Sequence, residues 1–246
     1  NYCRGRFRLC HDYYWRIETA GLEHVPEQGR GVLVGMHRGF MPFDGVMALY
    51  ALFVRRGRIP RFLIHPSLTK FPFLGDFMAK LGGIMACQEN ADWVLQHDEL
   101  LGMFPEGIRG AFTPYKRAYT LGKFGRDEFV RMALRNRAPI YPFVTVGSAE
   151  IYPIWGKIES TTCKTYLEWP FLPVTTPFPL PTKWHTQFLP PIHIEEEYGP
   201  EAADDPKLVK QISQRVRTAM QTAVNEMLAR RRSIWRGNVF GEPRSL

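Results

Sequence analysis

The sequence predicts an α/β fold, a single domain built on a largely parallel, mixed sheet flanked by helices. Three observations point there. Short, nearly unbroken apolar runs at 29–37 ("GRGVLVGMH"), 61–65 ("RFLIH"), 100–104 ("LLGMF") and 138–147 ("APIYPFVTVG") have the length of strands buried on both faces. Segments with helical spacing lie between them, and strand alternating with helix is the pattern of parallel sheets whose crossovers are helices. A chain of 246 residues, 45% hydrophobic and 23% charged, without repeats or low-complexity tracts, is long enough to bury one large core and is read as one domain over 1–246.

The elements follow in order. Residues 1–20 read as an N-terminal helix, with aromatics and arginines mixed over 6–20 ("RFRLCHDYYWRIETA"), lying on the body or on a membrane surface. The first strand ends at His37. Pro42 suits the first turn of the next helix, and Asp44 stands in that turn, where the helix dipole favours a carboxylate. This helix runs to about Arg56, with Gly57 as its stop. A short helix over 71–83 closes on Gly82-Gly83, further helices fit 91–99 and about 124–136, and each precedes a strand. Residues 166–191 break the pattern. Their prolines forbid helix and central strand, while Trp169, Phe171, Leu172, Phe178, Leu180 and Trp184 are too apolar for a solvated loop. The segment is either a cover over the core or an aromatic surface that enters lipid. Asp204-Asp205-Pro206 opens an amphipathic helix over 204–232, its stripe formed by Leu208, Ile212, Val216, Met220, Val224 and Met227 or Leu228, and its end marked by Arg230-Arg231-Arg232.

Composition narrows the function classes. The net charge of +8 suits an anionic partner, whether a phosphate-bearing substrate, anionic lipid or nucleic acid. Only "RRRSIWRG" at 230–237 hints at nucleic acid, and no recognition motif accompanies it, so no nucleic-acid partner is expected. No run approaches the roughly 18 apolar residues that span a bilayer. The best, residues 45–54, is cut off by Arg55 and Arg56. Four cysteines form no CxxC pair, and Cys3, Cys10 and His11 make a poor metal set, so no metal is expected and reduced thiols in a cytoplasmic compartment are the reading. There is no GxSxG elbow, Walker loop, GxGxxG or HExxH. His11-Asp12 and His97-Asp98 are adjacent pairs whose side chains diverge on a helix.

His37 and Asp44 differ from those pairs. A strand ends at His37, the chain turns through Gly39, and a helix starts near Pro42, so the turn is able to bring the carboxylate back to the imidazole. A carboxylate on Nδ1–H leaves Nε2 as an oriented base. The alternative is a capping aspartate beside an unrelated histidine. The second element is "FPEGIRG" at 104–110, again after a strand.

This string, with the His37/Asp44 pair before it, "GGIMACQENA" at 82–91 between them and "APIYPF" at 138–143 after, resembles the four ordered motifs of the glycerolipid acyltransferases, the family of lysophosphatidic acid and glycerol-3-phosphate acyltransferases. The resemblance runs from about residue 20 to 195. It implies that family's fold and an O-acyltransferase: His37 as general base on a glycerol-type hydroxyl that attacks the thioester of acyl-CoA or acyl-carrier protein, with Asp44 orienting it. Phe104, Pro105, Glu106, Gly107 and Arg109 would build the acceptor pocket, Arg109 being suited to phosphate. No cofactor, metal or covalent acyl-enzyme is implied.

Two departures stand out. The family's first motif has four residues between histidine and aspartate, and this chain has six. Where the second motif often carries arginine, this chain has Gln88, which opens the way to a neutral acceptor such as a monoacylglycerol beside a lysophospholipid; Lys116, Arg117 and Lys123 either compensate or form a solvated face. If the longer spacing breaks the dyad, the chain is a catalytically silent lipid- or membrane-surface-binding protein on the same fold. An acyl tunnel would draw on Phe40, Met41, Phe43, Met47 and Phe71. Peripheral contact with an anionic membrane, at its cytoplasmic face, is expected in either case.

Overall fold

A computed structural model of the chain describes residue 5 and residues 7–66, 73–125 and 127–240. Its strands are β1 (Glu18–Ala20), β2 (Gly31–Gly35), β3 (Arg61–Ile64), β4 (Gly83–Met85), β5 (Leu100–Met103), β6 (Ile140–Val146), β7 (Gly156–Ile158), β8 (Leu172–Val174) and β9 (His185–Phe188). The α-helices are α1 (Phe43–Arg56), α2 (Leu74–Lys80), α3 (Gln88–Gln96), α4 (Ile108–Ala111), α5 (Glu128–Arg135), α6 (Ile194–Glu197) and α7 (Pro206–Arg230). Seven strands form one sheet in the order β1-β9-β6-β2-β5-β3-β4, and β7 pairs with β8 in a separate ribbon. All pairs in the large sheet are parallel except β6 with β9.

The central strands are buried on both faces, which is why their sequences do not alternate. Val32 and Val34 of β2 pack with Val144 of β6, Phe129 of α5 and Ile212 and Val216 of α7 on one face. Leu33, turned the other way, packs with Phe143, Leu100 and Phe188 against Ala48 and Leu52 of α1. At roughly 25 cal/mol per Å² of apolar surface removed from water, these two layers are the main source of stability.

The four predicted strands are present, and α1 and α7 fall where expected. Asp205 caps α7, its carboxylate accepting from the backbone N–H of Lys207 and Leu208 ahead of Pro206. Three expectations are corrected. Residues 1–20 are not one helix: a π-helical turn covers Leu9–Tyr14, and Glu18–Ala20 instead pair in parallel with His185–Gln187. The helix expected over 71–83 occupies Leu74–Lys80, and Gly83–Met85 adds to β3 as an edge strand. The proline-rich stretch holds β8 and β9: the prolines around β9 (179, 181 and 190) bracket it rather than interrupt it, and Pro173 is tolerated in β8 because that strand pairs only with β7 in a two-stranded ribbon. Arg231 is also no surface cation at a helix end. It is buried against Glu150 at 2.5 Å, and the Glu150 carboxylate also accepts from Tyr119 Oη. No helix among the described residues is long and apolar enough to cross a membrane.

The sheet order positions the site. β2 and β5 are hydrogen-bonded neighbours with Val34 opposite Met103. The segments that leave their C-terminal ends, His37 and the turn through Pro105–Gly107, therefore emerge side by side at the same height, where open α/β sheets bind ligands.

Candidate active site

Six residues separate His37 from Asp44, and the turn absorbs them. Gly39 has φ +77°, and a Cβ there would stand 3.0 Å from the Ser148 carbonyl oxygen, so a left-handed glycine lets the chain reverse against the segment after β6. Helix α1 then begins at Phe43 with Asp44 in its first turn. The result is a closed pair: His37 Nδ1 lies 2.9 Å from Asp44 Oδ1 and 2.8 Å from Oδ2. The Asp44 side chain is fully buried and the imidazole 13% exposed. Oδ2 also accepts from Arg38 N–H at 2.7 Å, and Oδ1 from Gly45 N–H at 2.8 Å. An ionised carboxylate only accepts, so Nδ1 carries the proton and Nε2 keeps a free lone pair. The ring rests against Phe104, centroids 4.8 Å apart.

The cavity beside this imidazole measures about 270 Å³. From His37, Gly107 and Phe112 it extends between α1 and strands β3 and β4, past Leu49 and Ile64 to Met78. Its lining is predominantly apolar, and among the described lining residues there is no lysine or arginine. Trp169, from the proline-rich stretch, covers it.

The residues of "FPEGIRG" divide. Phe104 and Gly107 line the cavity, Gly107 at φ +56°, ψ −149°, a conformation open in practice only to glycine. Pro105 is buried and outside the lining. Glu106, expected in the acceptor pocket, is instead buried in an ion pair: its Oε2 takes Arg38 Nη1 at 2.7 Å, its Oε1 takes Arg38 Nη2 at 3.1 Å and Gly122 N–H at 2.6 Å. Arg109 is exposed and lies outside the lining. Of the residues expected along a tunnel, Phe40 lines the cavity. Met47 packs with Trp15 and Trp184, Phe43 faces Trp15 and Tyr152, Met41 is outside the lining, and Phe71 lies outside the described residues. Gln88 is bonded to Asp92 at 2.9 Å.

Arg38 is the residue the sequence did not point to. It is 1% exposed, and its guanidinium also donates to the carbonyls of His37 (2.6 Å), Thr120 (3.1 Å) and Ala118. One side chain thus ties the His37 turn to the Glu106 turn, and its backbone N–H holds Asp44. No sequence pattern marks this role, because an arginine after a strand reads as solvated. Cys3 of the weak metal set lies outside the described residues, and His11 Nδ1 is bonded to Asp12 at 2.8 Å. His193, Glu195 and Glu196 bring ligand atoms within 4.8 Å of one another away from the cavity lining, largely in solvent.

The fold is that of a lipid-modifying transferase of known structure. The 1-acyl-sn-glycerophosphate (LPA) acyltransferase PlsC from Thermotoga maritima superimposes with a TM-score of 0.58 at 17% identity, over 88% of this chain and 74% of that one. The chain belongs to the Acyltransferase family, whose sequence model matches residues 16–146. Among curated proteins it is 34% identical over 235 residues to an uncharacterized protein of Mycobacterium tuberculosis, covering 91% of this chain and 65% of that protein. It is 24% identical over 227 residues to the DGAT1/2-independent enzyme synthesizing storage lipids of Bos taurus, covering 90% of this chain and 62% of that protein. The chain thus spans a little under two thirds of these relatives' length.

Proposed function

We propose that the chain is an O-acyltransferase that moves a fatty acyl group from acyl-CoA or acyl-carrier protein to a hydroxyl of a glycerolipid acceptor, of the lysophospholipid or monoacylglycerol type. The observation that carries this reading is the 2.8 Å contact between His37 Nδ1 and buried Asp44, with the same imidazole lining an apolar cavity. His37 Nε2 takes the proton of the acceptor hydroxyl as its oxygen attacks the thioester carbonyl. The C–O bond forms, the tetrahedral adduct collapses with loss of the C–S bond, and the imidazolium returns its proton to the departing thiolate. Asp44 keeps Nδ1 protonated and steadies the imidazolium. This scheme requires no cofactor and no covalent acyl-enzyme.

A neutral acceptor is favoured over a phosphate-bearing one. The cavity lining described contains no lysine or arginine, Glu106 is taken up by Arg38, and Gln88 by Asp92. The bovine relative's description, a maker of storage lipids, points the same way. Such an acceptor is drawn from a membrane, which we place at an anionic cytoplasmic face. The free Cys10, Cys87 and Cys163 suit a reducing compartment.

The test is thiol release from palmitoyl-CoA with monoacylglycerol, lysophosphatidic acid or no acceptor, on wild type and His37→Ala together. Release that requires the acceptor and vanishes in the variant is the expected result. Acceptor-independent release marks a thioesterase. No release from folded, liposome-binding protein transfers the chain to the silent lipid-binding reading.

A further inference from the structure

The segment from Trp155 to Phe178 has two apolar sides. Inward, Trp169 meets Phe40 edge-on at 5.9 Å and Phe112 at 5.4 Å, and all three line the cavity, so this segment is its roof. Outward, β7 and β8 pair antiparallel with Ile158 opposite Leu172 and Gly156 opposite Val174. Directly opposed residues share a face, as do residues two apart on one strand. Ile158, Leu172 and Val174 therefore make one apolar ribbon face, and all three are exposed. Trp155, Tyr166 and Phe178, 65%, 69% and 76% exposed, belong to the same segment. Single exposed apolar residues are ordinary, whereas a contiguous apolar face marks an interaction surface.

The charge beside it is mainly basic. Tyr115 N–H donates to the Ile154 carbonyl, which seats the turn Tyr115–Arg117 against the base of the hairpin. Lys116 and Arg117 are exposed there, and neither makes an ion pair with a described residue. Of the two acids between β7 and β8, Glu159 is neutralised by Lys164 and by Lys157 at 3.3 Å, which hold its carboxyl below the usual range, and Glu168 lies 3.7 Å from His65.

We propose that the β7–β8 hairpin and the Tyr115–Arg117 turn together form the surface on which the protein docks to an anionic lipid bilayer. Three features select a bilayer. Trp and Tyr flanking aliphatic residues suit the headgroup boundary. Free lysine and arginine suit an anionic leaflet. The same segment roofs the cavity, so a lipid leaving the bilayer reaches His37 without crossing water. The choice of a bilayer rests on the lipid-acylating reading above, while its test reads vesicle binding separately from turnover.

The experiment is sedimentation with phosphatidylcholine vesicles, with and without phosphatidylglycerol, for three proteins: wild type, Trp155→Ala/Ile158→Ser/Phe178→Ala, and Lys116→Glu/Arg117→Glu. Wild type is expected to bind the anionic vesicles more tightly than the neutral ones. The apolar variant loses binding to both, and the charge variant weakens on anionic vesicles by about tenfold or more, since each basic residue near the surface contributes about fivefold. Both variants should keep the wild-type melting temperature and wild-type turnover of a short, water-soluble acyl thioester. Wild type that turns over yet ignores vesicles, or variants that bind as wild type does, overturns the docking surface and leaves the acyltransferase reading standing. Vesicle binding lost in the variants, without turnover by any protein, sinks the acyltransferase and keeps the surface. A dimer of wild type that the apolar variant dissolves, with no vesicle binding, assigns the face to a second copy and overturns the proposal.

Discussion

Asp44 accepts from three groups at once: an imidazole, the Arg38 backbone and the Gly45 backbone. An asparagine there keeps its volume but sets an NH2 against the Arg38 or Gly45 N–H, so Asp44→Asn is expected to lower kcat by a factor on the order of 10²–10⁴, through a wrong tautomer or orientation, and to lower the melting temperature as well. His37→Ala should abolish transfer with the fold intact, as circular dichroism would report. Arg38 and Glu106 behave otherwise. Removing one partner of a buried, fully bonded ion pair strands the other, at a cost of roughly 3–5 kcal/mol. Arg38→Met or Glu106→Gln should therefore lower the urea midpoint steeply, and the double variant Arg38→Met/Glu106→Leu should cost less than the sum of its singles. Additive losses would show that the pair is not coupled. At this scale the sequence was legible in part. A histidine ending an apolar run, a proline and an aspartate in a first turn have local signals, whereas the partnership of Arg38 with Glu106 joins residues that only the sheet brings together.

Among the elements, the turn after β2 is the most constrained. Gly39→Ala places a Cβ in a left-handed conformation and 3.0 Å from the Ser148 carbonyl. It should cost about 1–2 kcal/mol and displace the imidazole, so activity falls more than stability does. Helix α1 serves the site twice, with Asp44 at its start and Leu49 on the cavity wall. Leu49→Trp fills part of a cavity of about 270 Å³, and thiol-release assays across chain lengths should show palmitoyl transfer lost before transfer of shorter chains. Strands buried on both faces could be read directly as apolar runs. β1, β4 and β9 could not: β1 (ETA) and β9 (HTQF) are not apolar runs, β4 has three residues, and β1 finds its partner far along the chain, Glu18 meeting His185. Local propensity says little where the partner supplies the strand.

Across the whole molecule, segments far apart in sequence meet at His185. It is fully buried in β9, its Nε2 lying 3.2 Å from the Gly237 carbonyl and 3.5 Å from Glu18 of β1. Burial pushes its pKa below the ordinary 6.5, outweighing the pull of the Gly237 carbonyl and Glu18. Burial lowers His11 likewise. The folded protein thus prefers these rings neutral, and below about pH 6.5 the unfolded chain binds more protons. Stability contributed by the two groups is complete above that pH and is lost as pH falls toward the depressed folded values, at about 1.4 kcal/mol per unit of separation. Urea unfolding from pH 7.5 to 5 should show this decline, and His185→Phe should shrink it.

The adjacency of β2 and β5 carries a consequence for how such a protein changes over time. Those two strands hold His37 and the turn through Pro105–Gly107 by hydrogen bonds to each other. The chain between Asp44 and β5 is an excursion outward through β3 to the edge strand β4 and back, and it supplies Leu49, Phe62, Ile64, Met78, Leu81 and Ala86 to the cavity wall. Substitutions in that one block resize the cavity while the His37–Asp44 pair stays clamped elsewhere. On the proposed function, that block is a cassette for substrate preference, open to change by small steps that leave the His37–Asp44 pair in place.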